Sequence, residues 1–102
     1  MDNKQFNDYF ELLVSRMRSM LTKKGNDYAN KDRLDNFKNA GNVCGIHPGV
    51  TCLNLMAVKI NRAANLINSG AKPENESLQD TALDLACYSL LFNAIMNEPL
   101  IE

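Results

Sequence analysis

Ser77-Leu78-Gln79-Asp80-Thr81-Ala82-Leu83-Asp84-Leu85-Ala86-Cys87-Tyr88-Ser89-Leu90-Leu91-Phe92-Asn93-Ala94-Ile95 is the stretch that decides the fold class. A serine followed three residues later by an acid is a helix-start pattern, because the hydroxyl can accept a free N–H of the first turn and the acid favours the positive end of the helix dipole. Behind it Leu83, Leu85, Ala86, Tyr88, Leu90, Leu91, Phe92 and Ile95 make the segment apolar almost all the way round. Such a helix is expected to be buried, with Glu98-Pro99 ending it.

Upstream, Gly70 and Pro73 mark the end of a helix predicted from about Thr51 to Asn68. At 100° per residue, Leu53, Met56, Ala57, Ile60, Ala64 and Ile67 form one apolar face and Leu55, Val58 and Leu66 a second, with Asn54, Asn61, Asn65 and Asn68 between them. Two apolar sides predict a sandwiched helix, with the Leu55/Val58/Leu66 strip spare for another subunit. Asp32 is expected to cap a short helix from Arg33 to about Val43, with Leu34, Phe37 and Ala40 on one face. Phe6, Tyr9, Phe10, Leu13, Val14, Met17, Met20 and Leu21 recur at steps of three and four, predicting a first helix from Phe6 to Leu21 that Gly25 stops. Asn26 to Lys31 lacks a helical period and reads as a loop. The expectation is an all-α bundle of three long helices and one short, with no strand.

The 102 residues, 45% hydrophobic and 23% charged, fit one folded domain spanning 1–102. No long apolar run or signal-like amino terminus is present, so a soluble, cytoplasmic chain is expected, without a membrane partner. The net charge of −1 offers no global field for DNA or RNA. Cys44, Cys52 and Cys87 are an odd, widely spaced set, which points to reduced thiols. Cys44-x-x-His47-x4-Cys52 has zinc-ligand chemistry but supplies only three ligands, and His47 in a Gly/Pro loop reads better as a turn or cap residue.

Asp80 and Asp84 stand one turn apart on the most apolar helix, where a carboxylate has to be paired, protonated or metal-bound. The short connection from Gly70 to Glu76 makes the last two helices antiparallel neighbours, so Lys59 and Arg62 are the candidate partners. On the plainer reading, Asp80 caps the helix and Asp84 forms a structural ion pair. Lys23, Lys24, Asn26, Asp27 and Tyr28, with Lys31, Arg33, Phe37 and Lys38, mix cations, amides and aromatics. That chemistry suits a phosphorylated ring compound, with Tyr28 or Phe37 stacking on a base, or else a solvated basic loop.

Four ordered blocks carry a family resemblance: Lys24-Gly25-Asn26-Asp27-Tyr28-Ala29; Asp32, Leu34, Asn36 and Phe37; Ala57-Val58-Lys59-Ile60-x-Arg62; and Asn75-Glu76-Ser77-x-x-Asp80-Thr81-x-x-Asp84-Leu85-Ala86-x-Tyr88. Together they resemble small bacteriophage proteins similar to the nucleotide-modification-associated, MazG-like helical group. The resemblance implies an all-α fold, a homo-oligomer and a nucleotide or nucleotide-derived ligand. MazG-like pyrophosphohydrolases carry a Glu-Glu-x-x-Glu/Asp type motif on one helix and a Glu-x-x-Asp type motif on the next. Here Glu76 and Asp80 are four apart, Asp84 follows, and no double-Glu motif occurs.

A second likeness, in size and chemistry, is to small phage proteins that sequester cyclic nucleotide immune signals. The resulting expectation is a phage-type protein in the cytoplasm of an infected bacterial cell that binds such a ligand through Lys24, Asn26, Asp27, Tyr28, Lys59 and Arg62, without a catalytic residue or cofactor. In the alternative, a MazG-like Mg²⁺-dependent nucleoside triphosphate pyrophosphohydrolase, Glu76, Asp80 and Asp84 hold the metal. A purely structural interaction protein is the third class.

Overall fold

The computed structural model is all-α, and it describes residues 1–27, 32–73 and 76–101, with side chains for 1–23, 32–73 and 76–98. Four helices and no strand occur among the described residues. The chain divides into two compact units, Met1–Lys31 and Asp32–Glu102.

The first unit holds one helix, α1 (Asn3–Asp27). It starts in a reciprocal capping box, in which Gln5 N donates to Asp2 Oδ1 at 2.8 Å and Asp2 N donates to Gln5 Oε1 at 2.9 Å. The expected stop at Gly25 is not made, and Asn26 and Asp27, expected in a loop, are helical. A helical glycine costs only about 1 kcal/mol relative to alanine, which a helix of this length can carry. The rest of the expected loop, Tyr28 to Lys31, lies outside the described residues.

In the second unit, α2 (Asp35–Cys44) begins two residues later than the sequence suggests. Asp32 Oδ1 accepts from Leu34 N at 2.9 Å and the Asp32 carbonyl accepts from Asp35 N at 3.2 Å, so this acid closes the turn ahead of the helix instead of capping the helix itself. Leu34 and Phe37 are buried as expected, but Gly41, not Ala40, continues their face. A Cβ on Gly41 would lie 2.7 Å from the Ile46 carbonyl oxygen, so only glycine allows the backbone to pass. Gly45, at φ 69°, then takes the left-handed C-cap that frees the chain to turn.

α3 (Pro48–Ser69) starts three residues earlier than expected, because Pro48 is well suited to the first helical position and His47 Nδ1 caps it by accepting from Gly49 N at 2.9 Å. Gly70, at φ 67°, ends it where the sequence placed the stop. α4 (Leu78–Ile101) opens as expected, with Asp80 N donating to Ser77 Oγ at 3.0 Å. It runs on through Pro99, which was expected to end it.

α3 lies between α2 and α4 and packs against both. The α3–α4 pairing is antiparallel, since Cys52 meets Tyr88 (Sγ to carbonyl oxygen, 3.5 Å) while Lys59 meets Asp84. Leu34, Phe37, Cys52 and Ile95 form the core, flanked by Met56, Tyr88, Leu91, Phe92 and Ala94. The inward face of α3 is Gly49, Cys52, Met56, Lys59, Ala63 and Leu66, all buried or half-buried. This corrects the wheel reading, because Leu53, Ile60 and Ile67 of the expected inner face are 44, 54 and 67% exposed, while Leu66 of the Leu55/Val58/Leu66 strip expected to be spare lies on the inner face. α4 is likewise not buried on every side, with Leu90 and Met96 exposed. The physical reason is that Lys59 and Cys52 occupy the inner face, and a pattern of apolar residues alone cannot reveal a charge that is paired inside.

Candidate functional site

Lys59 and Arg62, three residues apart on α3, project towards the same point, which the start of α4 fills with acids. Lys59 Nζ donates to Glu76 Oε1 at 3.0 Å and lies 3.1 Å from Asp84 Oδ2. Arg62 donates through a terminal nitrogen to the Glu76 carbonyl at 2.7 Å, and its Nε stands 3.4 Å from Glu76 Oε2. Thr81, fully buried, donates its hydroxyl to Glu76 Oε2 at 2.8 Å and also lies 3.1 Å from the Ser77 carbonyl. The two cations face two carboxylates, so the cluster is neutral.

Hydrogen bonds from Lys59 and then Thr81 hold the Glu76 carboxyl at about 2, well below its ordinary 4.5. The same bond to Glu76, reinforced by Asp84, raises the Lys59 ammonium above its ordinary 10.5. Glu76 and Lys59 are therefore both charged at neutral pH. Asp84 has 16% of its side chain exposed and is the structural ion pair of the plainer sequence reading, whereas Asp80 is exposed and contributes its charge to the first turn of α4.

Glu76, Asp80 and Asp84, the metal set of the hydrolase reading, are placed as follows. Among the described residues no group of three or more His, Cys, Asp or Glu side chains is placed to hold a metal ion. Glu76 and Asp84 are already neutralised by Lys59 and Arg62, and Asp80 is exposed at the helix start. The zinc reading of Cys44, His47 and Cys52 does not form, since His47 caps α3, Cys44 is exposed and Cys52 is fully buried against Tyr88. All three cysteines are thiols, and burial pushes that of Cys52 up.

Lys24, Asn26 and Asp27 lie in the last turns of α1, with their side chains outside the described residues, as Tyr28 is altogether. Phe37, considered for stacking on a base, is instead 6% exposed in the core. Lys38 bridges Asp32 at 2.5 Å and Glu98 at 2.6 Å, tying the turn before α2 to the far end of α4. This second ionic staple was not foreseen, because its members are separated by as many as 60 positions. Thr81 was missed too, although a hydroxyl in an apolar helix is a signal of the same kind as Asp84.

Beside the cluster, Ala63, Ile67, Leu78, Gln79, Ala82 and Leu85 line an open groove of about 290 Å³. Its walls are almost wholly aliphatic. No single described helix is long and apolar enough to cross a membrane, and α2 and α3, which reach that length together, are bent by 97°. Comparison of the chain with protein-family models, curated proteins and solved structures finds no match.

Proposed function

We propose that the chain binds a nucleotide-derived ligand and releases it chemically unchanged, acting as a phage-type homo-oligomer that sequesters a cyclic nucleotide signal. The observation that carries this reading over hydrolysis is the neutral cluster of Lys59, Arg62, Glu76 and Asp84. A Mg²⁺ ion takes carboxylates whose charge is available to it, and here each acid already has a cation at 3.0 to 3.4 Å. What the cluster offers is an ammonium and a guanidinium three residues apart, the donor set that suits a phosphoryl group. Arg62 Nε is buried and makes no hydrogen bond among the described residues, so a phosphoryl oxygen displacing the Glu76 carboxylate gains a donor that Glu76 leaves unused. The identity of the ligand rests on the sequence resemblance.

One observation favours a second reading, a structural interaction protein: Lys59 and the terminal nitrogen of Arg62 already donate to Glu76 without any ligand. Equilibrium dialysis against nucleoside triphosphates and cyclic dinucleotides, in Mg²⁺ and in EDTA, separates the possibilities. Retention in both buffers, lost in Arg62→Ala, supports binding. Mg²⁺-dependent pyrophosphate release that disappears in Asp80→Asn supports the hydrolase, and no retention with any nucleotide supports the interaction protein.

A further inference from the structure

α3 carries an apolar stripe that α2 and α4 leave open. Val50, Leu53, Ala57, Ile60, Ala64 and Ile67 follow one another at steps of 3, 4, 3, 4 and 3, the spacing of a coiled-coil seam, and all six are exposed. The stripe is uncharged, and so is the row that flanks it, Asn54, Asn61 and Asn68, one per heptad and also exposed. The charges of α3, Lys59 and Arg62, both lie on the side that meets α4. A helix face exposed to water is normally studded with Lys, Arg, Asp or Glu. An uncharged seam excludes partners recognised by charge and suits one with the same uncharged pattern.

We infer that this stripe is an interface with a second copy of the chain, with the two α3 helices running antiparallel. The sizes of the side chains select that direction. Antiparallel pairing in the register that sets Val50 against Ile67 also sets Leu53 against Ala64 and Ala57 against Ile60, so each alanine receives a large neighbour and the seam interdigitates. Parallel pairing stacks Ala57 on Ala57 and Ala64 on Ala64, leaving voids. The antiparallel register also brings Asn54 of one copy beside Asn61 of the other, where amides can donate to and accept from each other.

Val50, Leu53, Ile60 and Ile67 are 43, 44, 54 and 67% exposed and offer on the order of 350 Å² per copy. Each partner of a stable complex buries about 800 Å², and the alanines, asparagines and helix backbone on the same face add to the leucine and isoleucine contribution. The inference deepens the homo-oligomer of the proposed function without depending on its ligand, so an assembled protein that binds no nucleotide leaves it standing.

Light scattering at micromolar concentration is expected to give a dimer or a multiple of one for the wild type. Ile60→Glu, a substitution at an exposed site, is expected to give half that mass or less with unchanged helical circular dichroism. Val58→Glu, more exposed at 68% but off the stripe, is expected to assemble like the wild type. Spin labels at Asn68→Cys in a Cys44→Ser background are expected about 30 Å apart, from the 1.5 Å rise per residue. A monomeric wild type, or an Ile60→Glu protein that keeps its mass, overturns the interface. Label separations within about 15 Å overturn the antiparallel direction.

Discussion

Asp80 and Asp84 are chemically identical and one turn apart, yet Asp80 is solvated at the helix start while Asp84 is nearly enclosed beside Lys59. Replacing Asp84 by Ala is therefore expected to cost about 1 to 2 kcal/mol, less than a broken buried pair usually costs, because Lys59 keeps Glu76. Asp80→Ala is expected to change stability by less than 1 kcal/mol, the scale of an exposed dipole interaction. Urea unfolding of the two variants measures the difference, and equal midpoints would show that Asp84 is not held as described. Glu76 makes the pH dependence specific. Its folded pKa is depressed, so the stability it contributes is fully present above about 4.5 and is lost as pH falls towards about 2. Denaturation midpoints should decline over that window, and Glu76→Gln should flatten the decline. Part of the slope should remain, since Asp32, lowered by its bond from Lys38, titrates in the same direction. The acids were legible from sequence because a charge in an apolar helix demands a partner; Glu76, in the connection before α4, gave no such signal for an ion pair.

The helices themselves were legible from their period and their caps: Ser77, Gly70 and the Leu34/Phe37 face all stand where the sequence placed them. Boundaries failed where one residue type has two uses. Gly25 sits inside α1 while Gly45 and Gly70 terminate helices, and composition alone does not distinguish the glycine that turns the chain from one that does not. The inner face of α3 was misread for a related reason: an a/d-spaced apolar stripe signals burial but not which neighbour provides it. Gly41 tests the local packing around α2. Gly41→Ala forces its new methyl against the Ile46 carbonyl, whose own amide bonds back to the Gly41 carbonyl at 2.9 Å, so neither side can yield easily. The expected cost is about 1 to 3 kcal/mol, read as a fall of several degrees in Tm. An unchanged Tm would mean that the turn between α2 and α3 relaxes freely.

At the scale of the whole molecule, fold class followed from repeated helical period, and circular dichroism should show a strongly helical protein without strand signal. The division into Met1–Lys31 and Asp32–Glu102 was not legible, because α1 carries the same kind of amphipathic pattern as a bundle helix. It also separates the expected ligand residues, with Lys24, Asn26 and Asp27 in one unit and Lys59 and Arg62 in the other. What the charge cluster does to a nucleotide is therefore decisive. The most direct measurement is to incubate the purified protein with a panel of nucleoside triphosphates and cyclic dinucleotides in Mg²⁺, remove unbound ligand, release the remainder by heat and identify it by chromatography. The account predicts recovery of an unaltered nucleotide; recovery of a monophosphate and pyrophosphate, or of no nucleotide at all, would contradict it.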